Sequence, residues 1–151
     1  MPEWDREEVL QWIHTIPFFK EFTEDERRQI ADLRTHLRTF HKNQTIIRQD
    51  DIDLSLFIIL RGEVSLTKNE RPHLKIIALK PGALFGEVSF VKPRSRLTNV
   101  IAETETIVLK MDGELFESLS QDIQGKIKDK VLQMLIRRLD EMNNALITYV
   151  R

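Results

Sequence analysis

Between residues 45 and 111 the chain breaks into short runs of branched and aromatic residues that leave no room for long helices. Residues 45–47, 56–60, 64–67, 74–79, 99–103 and 106–111 are apolar or alternate apolar with polar, the pattern of strands with one or both faces buried. Turn-forming residues punctuate them at 50–53, Arg61-Gly62, 68–72 and Lys80-Pro81-Gly82. That spacing suits an all-β barrel or jelly roll better than a parallel sheet with crossovers. The predicted roll covers residues 43–111.

Helical periodicity flanks the roll. Residues 1–42 read as an N-terminal helical segment, with Val9, Leu10, Trp12, Ile13 and Ile16 at helical spacing and a break before Pro17. Thr23 and Glu26 have the form of a capping box for a second helix, with Ile30, Leu33 and Leu37 on one face. Trp12 and the Phe18-Phe19 pair suit core contacts better than a ligand site. Residues 112–151 are expected to hold C-terminal helices. Asp112 caps one carrying Leu115, Phe116 and Leu119, and a longer one starts at Ile123 or Gly125. Along it, Leu132, Leu135, Leu139, Met142, Leu146 and Tyr149 recur at steps of three and four, with Arg137, Arg138, Asp140 and Glu141 off the seam. This seam either packs on the roll or pairs two copies into a homodimer.

A chain of 151 residues with 41% hydrophobic and 31% charged residues has the length and balance of one soluble domain. Its formal net charge of −1 gives no global attraction to nucleic acid or membrane. The chain has no cysteine, an acidic start without an apolar signal core, and no run of membrane-spanning length, so a cytoplasmic location is expected. His14, His36 and His41 show no metal-ligand spacing, and no nucleophile elbow or Walker loop is present. No metal or required cofactor is therefore expected, and no catalysis. An enzyme built on Glu87 would need a second catalytic group that the spacing does not place.

One polar stretch stands out inside the roll: residues 85–100, FGEVSFVKPRSRLTNV. Gly86 permits close backbone approach to a ligand, and the N–H groups around Glu87 and Val88 can face an anion. Arg94 and Arg96 offer forks for phosphate oxygens, Ser95 and Thr98 offer hydroxyls, and Glu87 accepts from sugar hydroxyls. Together these suit a sugar phosphate. The same composition also suits a solvated surface connection with an ordinary ion pair.

Phe85-Gly86-Glu87-Val88-Ser89-Phe90 followed by Arg96-Leu97-Thr98-Asn99-Val100 resembles the phosphate-binding cassette of the cyclic nucleotide-binding domain family. The likeness extends to residues 56–64 with Gly62, to Leu79-Lys80-Pro81-Gly82 and to Ile16-Pro17-Phe18-Phe19. It implies a mainly β fold with flanking helices: a double-stranded β-helix or jelly-roll barrel with N-terminal helices and a long C-terminal helix that acts as a lid. It further implies a regulatory domain for cAMP, possibly cGMP, that couples binding to movement of that helix and acts on an effector protein or linked effector domain. By the same resemblance, the ligand site comprises Phe85, Gly86, Glu87, Val88, Arg96, Leu97 and Thr98. Arg96 would pair with the phosphate and Glu87 would accept the ribose 2′-hydroxyl. Arg94, in Pro93-Arg94-Ser95, is the alternative phosphate ligand and would require a different loop length. Family transcription factors carry a DNA-binding domain after the long helix, and none is expected in a chain ending at Tyr149-Val150-Arg151. The departures are Asp50 and Asp53 where family members commonly have glycines, and Leu97 where a small residue, or Thr or Ser in cGMP binders, is usual. If these have eroded the pocket, the roll is a ligand-free protein interaction module.

Overall fold

The computed structural model describes residues 4–150. Met1 to Glu3 of the predicted N-terminal segment, and Arg151, lie outside the described residues. Asp5 accepts a hydrogen bond from the Glu8 backbone at 2.8 Å and starts helix α1 (Arg6–Thr15). Pro17 opens a 3-10 turn, Pro17–Phe19. The Thr23–Glu26 capping box forms in both directions, at 3.1 and 2.8 Å, and starts α2 (Glu24–Ala31).

There the helical expectation needs correction. Residues 37–42 are not helical, and Leu33 and Leu37 do not extend the apolar face of α2. Arg34–His36 is a 3-10 turn and Leu37–Phe40 is strand β1. Its antiparallel ladder, from Leu37 opposite Leu109 to Phe40 opposite Thr106, is a long-range pairing that local helical spacing cannot reveal.

The remaining strands are β2 (Thr45–Ile47), β3 (Leu56–Arg61), β4 (Val64–Thr67), β5 (Ile77–Leu79), β6 (Leu84–Phe85), β7 (Asn99–Ala102) and β8 (Thr106–Met111). They form two antiparallel four-stranded sheets, ordered β1-β8-β3-β6 and β2-β7-β4-β5. The run at 74–79 is a strand only in its second half, and Leu74 and Ile76 are exposed. Strand β6, too short to read from periodicity, pairs with Phe57 and Ile58 of β3. Helices α3 (Glu87–Val91), α4 (Gly113–Ser118) and α5 (Gln121–Val150) complete the fold. Asp112 caps α4 through the Leu115 N–H at 2.8 Å. The last helix starts at Gln121, ahead of Ile123 and Gly125, because Ser120 accepts from the Ile123 and Gln124 backbone N–H groups.

Alternation along β3 divides the interior. Leu56, Ile58 and Leu60 join Ile13, Phe19, Leu109, Met111, Ile123 and Ile127 beneath the helices, while Phe57 and Ile59 join Val64, Phe85, Val100 and Val108 between the sheets. Each such side chain contributes about 1.5–3 kcal/mol by leaving water. The first half of α5 is anchored in the helical core by Ile123, Ile127 and Val131, and Lys126 pairs with the buried Glu26 of α2. Among the described residues, no helix is long and apolar enough to cross a membrane.

Two glycines test the packing in opposite directions. Gly62 has φ +89°, and an added Cβ would sit 2.4 Å from the Glu105 carbonyl oxygen, whereas a Cβ on Gly125 of α5 meets nothing within 4 Å. Gly62→Ala is expected to lower the unfolding free energy by at least about 2 kcal/mol. Gly125→Ala is expected to raise it by about 0.5–1 kcal/mol, both read from urea denaturation.

Candidate functional site

Strand β6 delivers the chain to Gly86, whose φ of 79° turns it into α3 as the N-cap. Glycine is needed twice over, because a Cβ here would lie 2.8 Å from Arg96 Nη1 and 2.8 Å from the Ser55 carbonyl oxygen. The guanidinium of Arg96 fills that space. Only 3% of the residue is exposed. Nη1 donates to the Gly86 carbonyl at 2.9 Å and Nη2 to the Ser55 carbonyl at 2.6 Å. Beneath it the Phe57 ring lies 5.9 Å away and stacks on Phe85 with centroids 4.9 Å apart. Of its five N–H donors, the one on Nε is buried and has no partner among the described residues.

The backbone of Arg96 is fixed as firmly as its side chain. Its N–H donates to Asp51 and its carbonyl accepts from Asp50, each at 2.8 Å. Asp50 has φ 75°, the left-handed conformation that a glycine would take and that Asp tolerates. Asp53 accepts from the Ser55 N–H at 2.9 Å and lies 3.8 Å from Arg96 Nη2 and 3.6 Å from Lys110 Nζ. Burial raises the Asp53 carboxyl, but its bonds from Ser55 and the charges of Lys110 and Arg96 hold it below the ordinary carboxylate range. For Arg96, burial lowers the pKa and the carboxylates of Asp53 and Glu87 oppose that, leaving it below its ordinary value. An arginine so placed remains charged.

Glu87, the first residue of α3, is buried and accepts a hydrogen bond from Arg138 of α5. Phe85, Gly86, Glu87, Val88, Arg96, Leu97 and Thr98 all line one cavity of about 170 Å³, together with Ile47, Leu66, Ser89, Val100 and Arg138. Phe85 is fully buried, Thr98 half-buried, and Val88 and Leu97 are exposed at the rim. Arg94 is exposed and outside the lining, as is Ser95.

Residues 37–122 match the family described as cyclic nucleotide-binding domain. The chain belongs to that family. Human cGMP-dependent protein kinase 2 is 25% identical over 150 residues, spanning 92% of this chain and 19% of the kinase. A cyclic nucleotide-binding domain from Methylobacillus flagellatus KT superposes with a TM-score of 0.73 at 21% identity, over 94% of this chain and 82% of that one. The structure of PKAR CBD2 with Sp-2Cl-cAMPS bound superposes with a TM-score of 0.71 at 22% identity, over 94% and 91% of the two chains. At these identities the superpositions establish the fold. This chain spans less than a fifth of the cGMP-dependent protein kinase 2 sequences that it matches.

In this cyclic nucleotide-binding domain the loop carrying Asp50 and Asp53 is an intact support for Arg96. Ser89, inside the motif, joins the lining, and Arg138 is the polar lining residue that lies outside it. Arg138 stood out only as an off-seam charge, and its partner lies 51 residues earlier in the chain. Nothing local selects it over Arg137.

Gly86→Ala is expected to push the Arg96 guanidinium off its carbonyls and to cost about 1–3 kcal/mol of stability without any ligand, read from chemical denaturation. Asp53 supplies a pH dependence. Because folding depresses its pKa, its contribution is present above the unfolded carboxylate range and is lost as pH falls through the folded value. Asp53→Asn should therefore shrink the drop in unfolding free energy between neutral pH and about pH 3, which titration of denaturation midpoints measures.

Proposed function

We propose that the chain is a regulatory sensor that binds a cyclic nucleotide in the cassette cavity, cAMP ahead of cGMP, and reports it through α5. The observation that carries this reading is the buried Arg96 in the cavity lining, whose Nε–H has no partner among the described residues. A phosphate oxygen satisfies such a donor, and the charge pairing is stronger than a neutral hydrogen bond. Arg96 takes the exocyclic oxygens, the backbone around Gly86 completes the cradle, Glu87 accepts the ribose 2′-hydroxyl and Thr98 adds a hydroxyl. Leu97, 46% exposed at the rim, has only methyl groups to offer a base, so a guanine amino group gains no partner there. The kinship to a protein named for cGMP and to a domain solved with a cAMP analogue supports a cyclic nucleotide without choosing the base.

In this reading the domain has three parts: helices before residue 37, the roll at 37–111, and the C-terminal helices from 112. It binds and signals without chemistry on the ligand, and requires no cofactor. The listener is a protein partner or a covalently linked effector. Leu132, Leu139, Met142 and Leu146 are exposed along α5 while Leu135 is half-buried against the core. That seam suits a homodimer.

The test is calorimetric titration of nucleotide-stripped protein with cAMP and with cGMP, repeated on Arg96→Ala and Arg94→Ala, with unfolding curves to show that each variant is folded. Saturable binding is expected, tighter for cAMP. Arg96→Ala should weaken it by roughly thirtyfold to several-thousandfold, and Arg94→Ala should leave it unchanged. Folded protein that gives no heat with either nucleotide would reject the sensor and favour a ligand-free interaction module.

A further inference from the structure

A second cavity, of about 560 Å³, lies where α3, α4 and α5 meet, and it shares no lining residue with the cassette cavity. Its volume falls within the roughly 300–1,000 Å³ of small-molecule sites. Phe90 of α3 and Phe116 of α4 meet in its lining as an edge-to-face pair, with ring centroids 5.3 Å apart and planes at 83°. On the side of α5 it is lined by the buried Ile127 and Val131 and the half-buried Leu135. Leu54 and Leu132 also line it and are exposed, at 40% and 57%. Such a lining gains most from a ligand that brings hydrocarbon out of water.

The charges beside this cavity are arranged unevenly. Lys126 and Lys130, four residues apart on α5, pair with Glu26 and Glu21. Lys128 lies between them in sequence, lines the cavity, and pairs with no carboxylate among the described residues. Its Nζ is 5.7 Å from the centroid of the Phe116 ring, so the ammonium is held against the apolar lining by the face of an aromatic ring. Glu117, the one carboxylate in the lining, is exposed and forms no ion pair with it. A cation without a counter-ion therefore borders an apolar trough. The ligand that complements both has a carboxylate at one end and a hydrocarbon body at the other.

We propose that this cavity binds an amphiphilic carboxylate of the fatty-acid type, its chain against Phe90, Phe116 and the apolar residues of α5 and its head on Lys128. The site is separate from the nucleotide reading and does not depend on it.

The whole chain is titrated calorimetrically at low ionic strength with octanoate, decanoate and decanol, each below its micelle or solubility limit. The proteins are wild type, Lys128→Gln, Leu132→Glu and Leu132→Gln, with unfolding curves to show that each is folded. Position 132 is at i+4 from Lys128, so the introduced carboxylate supplies the counter-ion from within the helix, and the glutamine controls for lost apolar area. Decanoate is expected to bind saturably at one site, about tenfold tighter than octanoate and about two- to fivefold tighter than decanol. Lys128→Gln should abolish the preference for the acid and leave decanol binding unchanged. Leu132→Glu should weaken decanoate binding more than Leu132→Gln does. Folded wild type that gives no saturable heat with decanoate overturns the proposal, as does an affinity indifferent to chain length. A preference for the acid that survives Lys128→Gln places the head on another cation, such as Arg96, and overturns it too. So does equal decanoate binding by the two variants at position 132.

Discussion

Strand β3 is apolar on both faces, and the division of the molecule into two interiors follows from that constraint. Leu56, Ile58 and Leu60 are covered by the helices, and Phe57 and Ile59 by the second sheet. A strand buried on both sides cannot slip by one residue without exchanging the contents of two cores, so its register is strongly specified. The site inherits that rigidity. Ser55, immediately before the strand, presents its carbonyl to Arg96, and Phe57 lies beneath the same guanidinium and stacks on Phe85, which leads into Gly86. The residues that receive Arg96 are thus fixed by hydrophobic packing before any ligand is considered.

Arg96 in turn solves a problem that it creates. Burying a guanidinium is expensive unless its donors are met, and here two backbone carbonyls and the nearby Asp53 carboxylate meet part of the demand. The remainder is the Nε–H, which has no partner among the described residues. Since the arginine also ties the β6–α3 turn to the residue before β3, its loss removes a structural fastener, and any binding effect at this position has meaning only beside a stability measurement.

Legibility in the sequence tracked how local the determining physics is. The short strands after residue 44, the Thr23–Glu26 box, the Asp112 cap and the turns at Gly62 and Gly82 rest on neighbouring residues, and the positive φ of both glycines follows from the turns they occupy. The β-roll class was readable for the same reason. Leu37–Phe40 was not, because its partner is β8, about seventy residues later, and its own spacing mimics a helix. Strand β6 was too short to carry a period. At the site, the cassette residues came together around one cavity as their motif spacing implied, while Arg138 came from a helix whose local pattern describes a seam and not a pocket. Asp53 read as a departure from a glycine pattern; in place it is a counter-ion to Arg96 and Lys110, a role that appears only when β3 and β8 lie side by side.

The two halves of α5 are held by different forces. Ile123, Ile127 and Val131 are buried in the helical core, and Lys126 reaches Glu26 across to α2. Hydrophobic burial of this kind is insensitive to what occupies the cassette. From Ile136 to Tyr149 the large apolar residues face solvent, and the tie to the roll passes through Arg138 and the half-buried Met134 and Leu135. An ion pair is directional and exchangeable in a way that a packed isoleucine is not, since another hydrogen-bond donor can take over its carboxylate. The tie at Glu87 therefore bears on the distal half of the helix, and the proximal half is held independently of it. The exposed seam of Leu139, Met142 and Leu146 lies on the half that this ion pair ties to the cassette.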